Sequence, residues 1–406
     1  MLAGAISLAW TDFTTRPKTL TVGGLTLIGG PASPAYGVAI ETIRLIEQGP
    51  GQTSSLSFTI TDPTGVVTLT AGADVRFRDF TNADLPLFTG FVSSWSSTHE
   101  GVGRSIDVEC IGIEAMLDWL YVPVVVSWPA TPSAAVFMAA LQSAIGQALG
   151  IGVPLNAAGD SAFGGGSGNS SLATPIGTNG WALPSAGSAG PGSLRSVLTQ
   201  IMDAARATGA TIGTTQGLQL TVDFYGGIRI WELDQNSQGA VDYGPFVVST
   251  ASAPRPDTAQ HRVIPGEAVR QVYVTGGSAA GSGVVSDGTG IAGPTAQISV
   301  PSSLTADDVV TYGRSYLLRN GGTTQGTVIA AEAASVNVGN IVTSQRRAGS
   351  QLTLTDAQAG VTGFQTQMSS IEKVFYPGTG ERWTITYGLR RSGAQYIRQL
   401  TRAVLN

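Results

Sequence analysis

The groups in this 406-residue chain that could carry chemistry are few: two histidines, one cysteine and scattered carboxylates. Paired carboxylates suit glycoside hydrolysis, which needs two carboxyls about 5 to 10 Å apart across a sugar cleft. Asp307 with Asp308, or Asp62 with Asp74, are the candidates. Asp307 and Asp308 stand in the first turn of an expected helix, where negative charge offsets unpaired N–H groups, so their reading is structural. His99 and His261 fall in an expected hairpin and a Pro-rich connector, and neither stands beside a Gly-x-Ser-x-Gly elbow. No His-Glu-x-x-His motif and no Gly-Lys-Ser/Thr phosphate loop occurs. The run from Gly288 to Gly293 fits Gly-x-Gly-x-x-Gly, but Pro294 follows where a phosphate-cradling helix would have to continue, which makes it a loop. Cys110 is alone, so there is no intrachain disulfide, and a structural zinc site needs about four Cys or His ligands. These residues point away from an enzyme, and no catalytic, cofactor-binding or metal-ligating residue is assigned.

Two segments have the composition of docking elements instead. Arg390, Arg391, Arg398 and Arg402 place positive charge after the last acid, Glu381, while Tyr396, Ile397, Leu400 and Val404 form one apolar face of a basic helical segment over 391–406. The same pattern describes a terminal helix packed on its own domain with solvated arginines. Trp181 stands in a Gly/Ser-rich stretch, where an otherwise unburied indole can anchor a loop on a partner. Trp95, Trp119, Trp128, Trp231 and Trp383 lie in strands or at their ends and are expected in cores.

Composition bounds the partners. Lys plus Arg number 22 against 27 Asp plus Glu, a net charge of −5 drawn from only 12% charged residues. That is about half the usual charged fraction, so no single-sign field steers nucleic acid or anionic lipid to the chain. The 42% of apolar residues suffices for cores in two to four domains of about 100 to 200 residues each. No basic residue precedes Arg16, and Gly4 and Ser7 break the apolar N-terminal run, the wrong layout for a signal peptide. Residues 119–194 hold Asp160 as their one charged residue, yet Pro and Gly interrupt them too often for a membrane span.

The elements follow from periodicity. Residues 19–27 alternate about Gly23-Gly24, a hairpin signal, and 38–47, 54–61, 75–78, 87–98 and 105–111 read as further antiparallel strands. Residues 114–120 read as a short apolar helical turn that would close one end of a β-barrel. Thr131 and Pro132 begin an uncharged helix of about four turns. Residues 159–192 are too poor in large side chains to hold a fixed element and read as a flexible excursion. A second helix starts at Ser193, buries Leu194, Val197, Leu198, Ile201, Met202 and Ala205, and stops at Gly209. A hairpin over 218–224 and 228–233 completes a small α+β module. Beyond it come a strand at 269–275, a Gly-rich loop at 276–294, a helix from Thr305 to Leu318, and strands at 327–331, 341–344, 351–354, 364–376 and 382–387.

One internal echo bears on function. Val92-Ser93-Ser94-Trp95 leads through Gly101-Val102-Gly103 to a strand ending at Gly112, and Met368-Ser369-Ser370-Ile371 leads through Gly378-Thr379-Gly380 to a strand ending at Gly388. Order and spacing agree within one residue. Similarity separated by most of the chain suggests one barrel duplicated and diverged, with the middle module inserted between the copies. The alternative is chance likeness of two ordinary hairpins rich in Ser and Gly.

Here the sequence resembles the baseplate hub, or tail-tip hub, proteins of bacteriophage tails and phage-like contractile injection systems. The resemblance rests on Pro86-Leu87-Phe88-Thr89-Gly90-Phe91-Val92, the hairpin into Val108-Glu109-Cys110-Ile111-Gly112, and Met116-Leu117-Asp118. It also draws on Ile371-Glu372-Lys373-Val374-Phe375-Tyr376-Pro377-Gly378 into Trp383-Thr384-Ile385-Thr386-Tyr387-Gly388. It implies a mainly β fold with an α+β insertion: a first β-barrel hub domain over 1–120, the inserted module over 121–260, a second β-barrel hub domain over 261–390 and the basic helix over 391–406. It further implies a homotrimer at the virion tail tip, assembled in the host cytoplasm, whose six barrels continue a six-fold tail tube. The implied partners are the distal tail or tail tube protein, the tape-measure protein and other tail-tip or fibre proteins, with DNA passing through unbound. Many members of that family carry an enzymatic domain beyond the hub; about 18 residues follow Gly388 here, which leaves no room for one. The rival readings are a glycan-binding or cell-wall-degrading tail protein, since Gly/Ser-rich loops on β scaffolds form recognition surfaces, and a tube-side adaptor ring or receptor-binding protein.

Overall fold

The computed structural model describes residues 18–28, 36–49, 52–79, 85–101, 103–131, 181–183, 186–207, 215–222, 228–234, 246–249, 256–263, 269–275, 283–288, 292–299, 324–331, 351–358, 360–376 and 380–388, with isolated positions at 290, 310, 313–314, 316–317 and 348. Gly23 and Gly24, at φ 55° and 82°, make the two-residue turn between β1 (Lys18–Val22) and β2 (Leu25–Ile28). Both turn positions need φ > 0, which glycine supplies without steric cost. β3 (Gly37–Val38) and β4 (Arg44–Gln48) are separated by a 3-10 turn over Ile40–Thr42, so the single strand expected over 38–47 is broken. The Thr42 hydroxyl explains the break: it donates to Ala39 O at 2.6 Å and accepts the Thr59 N–H at 2.9 Å. β5 (Ser55–Asp62), β6 (Asp74–Asp79), β7 (Leu85–Glu100) and β8 (Gly103–Gly112) complete the first unit. Leu56, Phe58 and Ile60 alternate into its core with Leu20, Phe77 and Val108.

The chain then forms α1 (Met116–Trp119), which is expected to close the first unit but whose Leu117 packs instead with Val122, Val126 and Leu194 of the following module, and enters β9 (Tyr121–Val122) and β10 (Val126–Trp128). The helix expected from Thr131 lies outside the described residues. The excursion expected to run to Gly192 is instead ordered from Trp181 onward, as β11 (Trp181–Ala182), β12 (Gly187–Ala189) and β13 (Gly192–Ser193). Strand β12 pairs with β10 because Gly187 has no side chain: a Cβ there would lie 2.5 Å from the Trp128 ring. A residue composition poor in bulk can therefore be a packing requirement rather than a sign of disorder. α2 (Leu194–Ala204) begins where expected, with the Ser193 hydroxyl accepting the Ser196 N–H. It ends before Gly209, because Ala205 turns extended and β14 (Arg206–Ala207) pairs with β11. Leu194, Val197, Leu198 and Ile201 bury against Leu117, Val122 and Val126, and β15 (Thr215–Val222) pairs with β16 (Ile228–Asp234) as the expected hairpin.

Further on run β17 (Phe246–Ser249), β18 (Pro256–Val263), β19 (Gln271–Thr275), β20 (Gly283–Ser286) and β21 (Thr295–Ser299). They are followed by β22 (Thr324–Ala331), β23 (Gln351–Asp356), β24 (Val361–Tyr376) and β25 (Gly380–Tyr387). β20 occupies part of the stretch read as a loop, and β18 occupies the connector that holds His261. Residues 305–308 and 341–344 lie outside the described residues.

Fourteen strands join into one sheet, ordered β18-β22-β25-β24-β4-β5-β8-β7-β6-β1-β2, with β3, β17 and β23 branching from it. Pairing is antiparallel apart from β17 with β23 and β19 with β21. The fold is thus mainly β, mostly antiparallel, with a helix and hairpin module between its two β-rich parts. Among the described residues no ladder closes either part into a barrel; the two parts instead share one continuous sheet through β4 and β24.

Candidate assembly surface

The carboxylates are structurally committed. Asp62, fully buried, accepts the Val66 and Val67 N–H groups at 3.1 and 3.0 Å and pairs with Arg104 at 2.8 Å. Burial pushes its carboxyl up, but the hydrogen bonds from Val67, Arg104 and Val66 outweigh that and hold it below 3.8. Asp74 pairs with Arg76 at 3.1 Å, and Asp307 and Asp308 lie outside the described residues. His99 is exposed on β7, whereas His261 on β18 bonds through Nδ1 to the Tyr387 hydroxyl. Among the described residues no three His, Cys, Asp or Glu side chains converge on a metal position. Gly288 and Gly290, at φ 76° and 67°, belong to the connection between β20 and β21, and a strand rather than a helix follows. Nothing there presents helical N–H groups to a phosphate.

What the structure does bring together is a pair of equivalent hairpins. β7 and β24 each have 16 residues, and each is bulged at the first serine of its Ser-Ser pair. In β7, Val92 faces Cys110 and Ser94 faces Glu109, leaving Ser93 extra; in β24, Met368 faces Tyr387 and Ser370 faces Thr386, leaving Ser369 extra. The extra serine turns its hydroxyl across the ladder in both, Ser93 to Glu109 O at 2.9 Å and Ser369 to Thr386 O at 3.0 Å. A bulge bends its strand. Before the bend β7 pairs with β6 and β24 with β23; beyond it they pair with β8 and β25. The surrounding order also repeats: β4-β5-β8-β7-β6 in the first unit matches β18-β22-β25-β24-β23 in the second, antiparallel throughout. The echo in the sequence thus coincides with a repeated strand order, with the bulged serines at equivalent positions.

The two copies meet where β4 runs antiparallel to residues 370–374 of β24. A buried charge network clamps that seam. Lys18 on β1 pairs with Glu381 on β25 at 2.9 Å, and Lys373 on β24 pairs with Glu47 on β4, so both bridges join one copy to the other. Trp383 donates its Nε1–H to Glu381 at 2.9 Å and lies under the Lys373 ammonium, 4.4 Å from ring centroid to Nζ. Burial opposes ionisation of Glu381, yet Lys18 and then Lys373 overcome it and hold the carboxyl below 4.5. At the solvent side of the seam Arg44 bonds Glu372 at 2.5 Å. The sequence signal for this network is a charged residue in the buried phase of an alternating strand: Glu47 after Leu45, Lys373 between Ile371 and Phe375, Glu381 before Trp383 and Ile385.

Of the docking residues expected from sequence, Arg390, Arg391, Tyr396, Ile397, Arg398, Leu400 and Arg402 lie outside the described residues. Trp181 opens β11, where its backbone faces Ala207. Trp128 and Trp383 are core residues as expected, but Trp95 and Trp119 are 42% and 58% exposed. Trp119 ends α1 against Phe91, 5.6 Å between ring centroids, and Trp95 sits beyond the β7 bulge, where β6 no longer covers the strand.

No protein-family model and no curated protein matches the chain. Solved structures do. The 43 kDa tail protein of prophage MuSo2 from Shewanella oneidensis aligns over 92% of this chain and 98% of its own, with TM-score 0.60 and 12% identity. A tail protein from Neisseria meningitidis MC58 covers 92% and 96% with TM-score 0.57 and 11% identity. The prophage tail protein gp18 from Listeria monocytogenes EGD-e covers 96% and 100% with TM-score 0.53 and 10% identity. At these identities the likeness is one of fold, and the chain has the fold of phage and prophage tail proteins over nearly its whole length.

Proposed function

We propose that this chain is a non-enzymatic structural virion protein that forms the trimeric hub at the distal end of a phage tail. Three chains, each carrying the docking domain twice, present six similar units and so adapt a six-fold tail tube to a three-fold tip. The observation that carries this reading is the duplicated domain itself: two copies of one strand order, each with its bulged serine, fused edge to edge. The fold shared with prophage tail proteins supports it.

The shared wall of the two copies is eight strands wide, from β18 to the far half of β7. One face packs on the cores, and the other carries Ser55, Ser57, Thr59, Asp107, Glu109 and Thr386, at least partly exposed. Facing a central channel, that hydroxyl-rich surface mixes Asp107 and Glu109 with the exposed Arg382 and forms no continuous cationic track for phosphates, which suits passage of DNA and tape-measure protein without binding. Arg44 there is already taken by Glu372. Immunogold labelling of intact virions tests the placement. Label at the tail end opposite the capsid is expected; label along the shaft or on side fibres refutes it. Adsorption of the purified chain to host cell walls, with release of soluble fragments, would favour the rival reading of a wall-degrading protein.

A further inference from the structure

Glu47 of the clamp also lines a small pocket on the first unit's side of the seam, together with Ser54 just before β5, Thr89 on β7 and Glu114 in the turn that leads into α1. Phe88 and Ile113 form part of its apolar wall. Each of the four polar residues is 6% exposed or less. Their arrangement is set locally. The Ser54 hydroxyl accepts the Gln48 N–H at 3.3 Å and donates to Glu114 Oε1 at 3.2 Å. Glu114 folds back over the main chain, a path that exists because residue 112 is glycine: a Cβ there would lie 2.1 Å from Glu114 Oε2. The Gly112 N–H in turn donates to Ser54 O at 2.7 Å and ties the two sides together.

Glu47 divides its carboxylate between two surroundings. Its Oε1 meets Lys373, whereas its Oε2 has no hydrogen-bond partner and is shut off from solvent. A buried carboxylate oxygen in that position is costly unless something positive or proton-bearing meets it. Water cannot serve, because the pocket is too narrow to admit one. A bare ion can, since Ca²⁺ stands about 2.3–2.6 Å from its oxygens, closer than the roughly 2.8 Å that a water keeps.

We propose that this pocket binds one divalent cation, held between Glu47 Oε2 and the Glu114 carboxylate, with the Ser54 and Thr89 hydroxyls as further ligands. Two carboxylates and two hydroxyls make an all-oxygen set, which favours hard cations over zinc. Mg²⁺ gives up water reluctantly and keeps several molecules of it, which the narrow space excludes, so Ca²⁺ is the ion that fits. With two carboxylates, one of them shared with Lys373, the affinity is modest, on the order of 10⁻⁴ M. The position gives the ion a structural role: Glu47 reaches the second copy through Lys373, and Glu114 opens the path to the inserted module, so one ion pins all three parts.

Thermal unfolding of the full chain tests the site after stripping with EDTA and dialysis. Melts are compared in 10 mM CaCl₂, in 10 mM MgCl₂ and in NaCl of equal ionic strength. The midpoint is expected to rise by roughly 3–5 °C in CaCl₂ over NaCl and by less in MgCl₂, and calorimetric titration should give one Ca²⁺ per chain. Glu114→Gln keeps the side-chain shape, removes the charge and should abolish the rise, while Glu41→Gln, on an exposed turn, should retain it. Far-UV circular dichroism establishes that each variant is folded; if Glu114→Gln is not, the wild-type titration decides alone. Equal midpoints in all three salts without binding heat overturn the site and leave a shared proton as the partner of Glu47. A Ca²⁺ response that survives in folded Glu114→Gln also overturns it and assigns the ion to surface carboxylates.

Discussion

Lys18→Met isolates the clamp between the duplicated domains. Methionine keeps most of the apolar stem but removes the ammonium, leaving Glu381 with its side chain 7% exposed and its nearest cation gone. Removing one partner of a buried pair costs about 3–5 kcal/mol. Protonation sets a ceiling on the charge-burial part of that cost, because Glu381 can take up a proton and escape the uncompensated charge. From its ordinary 4.5, reaching the neutral form at pH 7 costs about 3.4 kcal/mol, at about 1.36 per pH unit; at pH 5 the same escape costs about 0.7 kcal/mol. In the wild type the folded carboxyl titrates below its unfolded value. Its contribution is therefore complete above pH 4.5 and disappears as pH falls through the folded value. Urea unfolding of variant and wild type should thus differ by about 3–5 kcal/mol at pH 7, and by about 2–3 kcal/mol less at pH 5. A loss under about 1 kcal/mol at pH 7, or an equal loss at both pH values, would refute the reasoning.

Gly187→Ala places a Cβ 2.5 Å from the buried Trp128 ring and should cost about 1–3 kcal/mol in thermal or urea unfolding, with β10 and β12 losing amide-exchange protection first. Asp62→Asn weakens the cap over Val66, Val67 and Arg104 and should cost about 1.5–3 kcal/mol at pH 7. Since the wild-type carboxyl is held below 3.8, its advantage is full above that pH and shrinks as pH falls further, so the gap between the two proteins should narrow in acid melts taken below that pH. Cys110 is buried, and burial followed by the charge of Glu109 pushes its thiol up to about 12. A thiol reagent at pH 8 should leave the native protein unlabelled and modify one thiol per chain in denaturant.

The two long hairpins are legible in the sequence because alternation, Ser-Ser and a Gly-x-Gly turn recur in the same order, and the structure makes those serines bulges. Much of the rest depends on tertiary context. The pairing of β4 with β24 joins residues far apart in sequence, 326 positions for Lys373 and Glu47, and no local pattern encodes it. β18 begins with a proline and carries polar residues at Asp257, Thr258, Gln260 and His261, so it lacks the apolar alternation that announces a strand. The strand β12 hides in a Gly/Ser-rich stretch because its partner Trp128 supplies the bulk. Exposure of Trp95 is likewise invisible, since an indole in an alternating strand reads as core until β6 is seen to end before it.

Light scattering of the purified chain followed by electron microscopy tests the central claim most directly. Three chains of 41.6 kDa give about 125 kDa, and class averages should show a ring with three-fold symmetry and six similar lobes. A ring of six chains, or an elongated particle without lobes, would contradict the duplicated-domain hub.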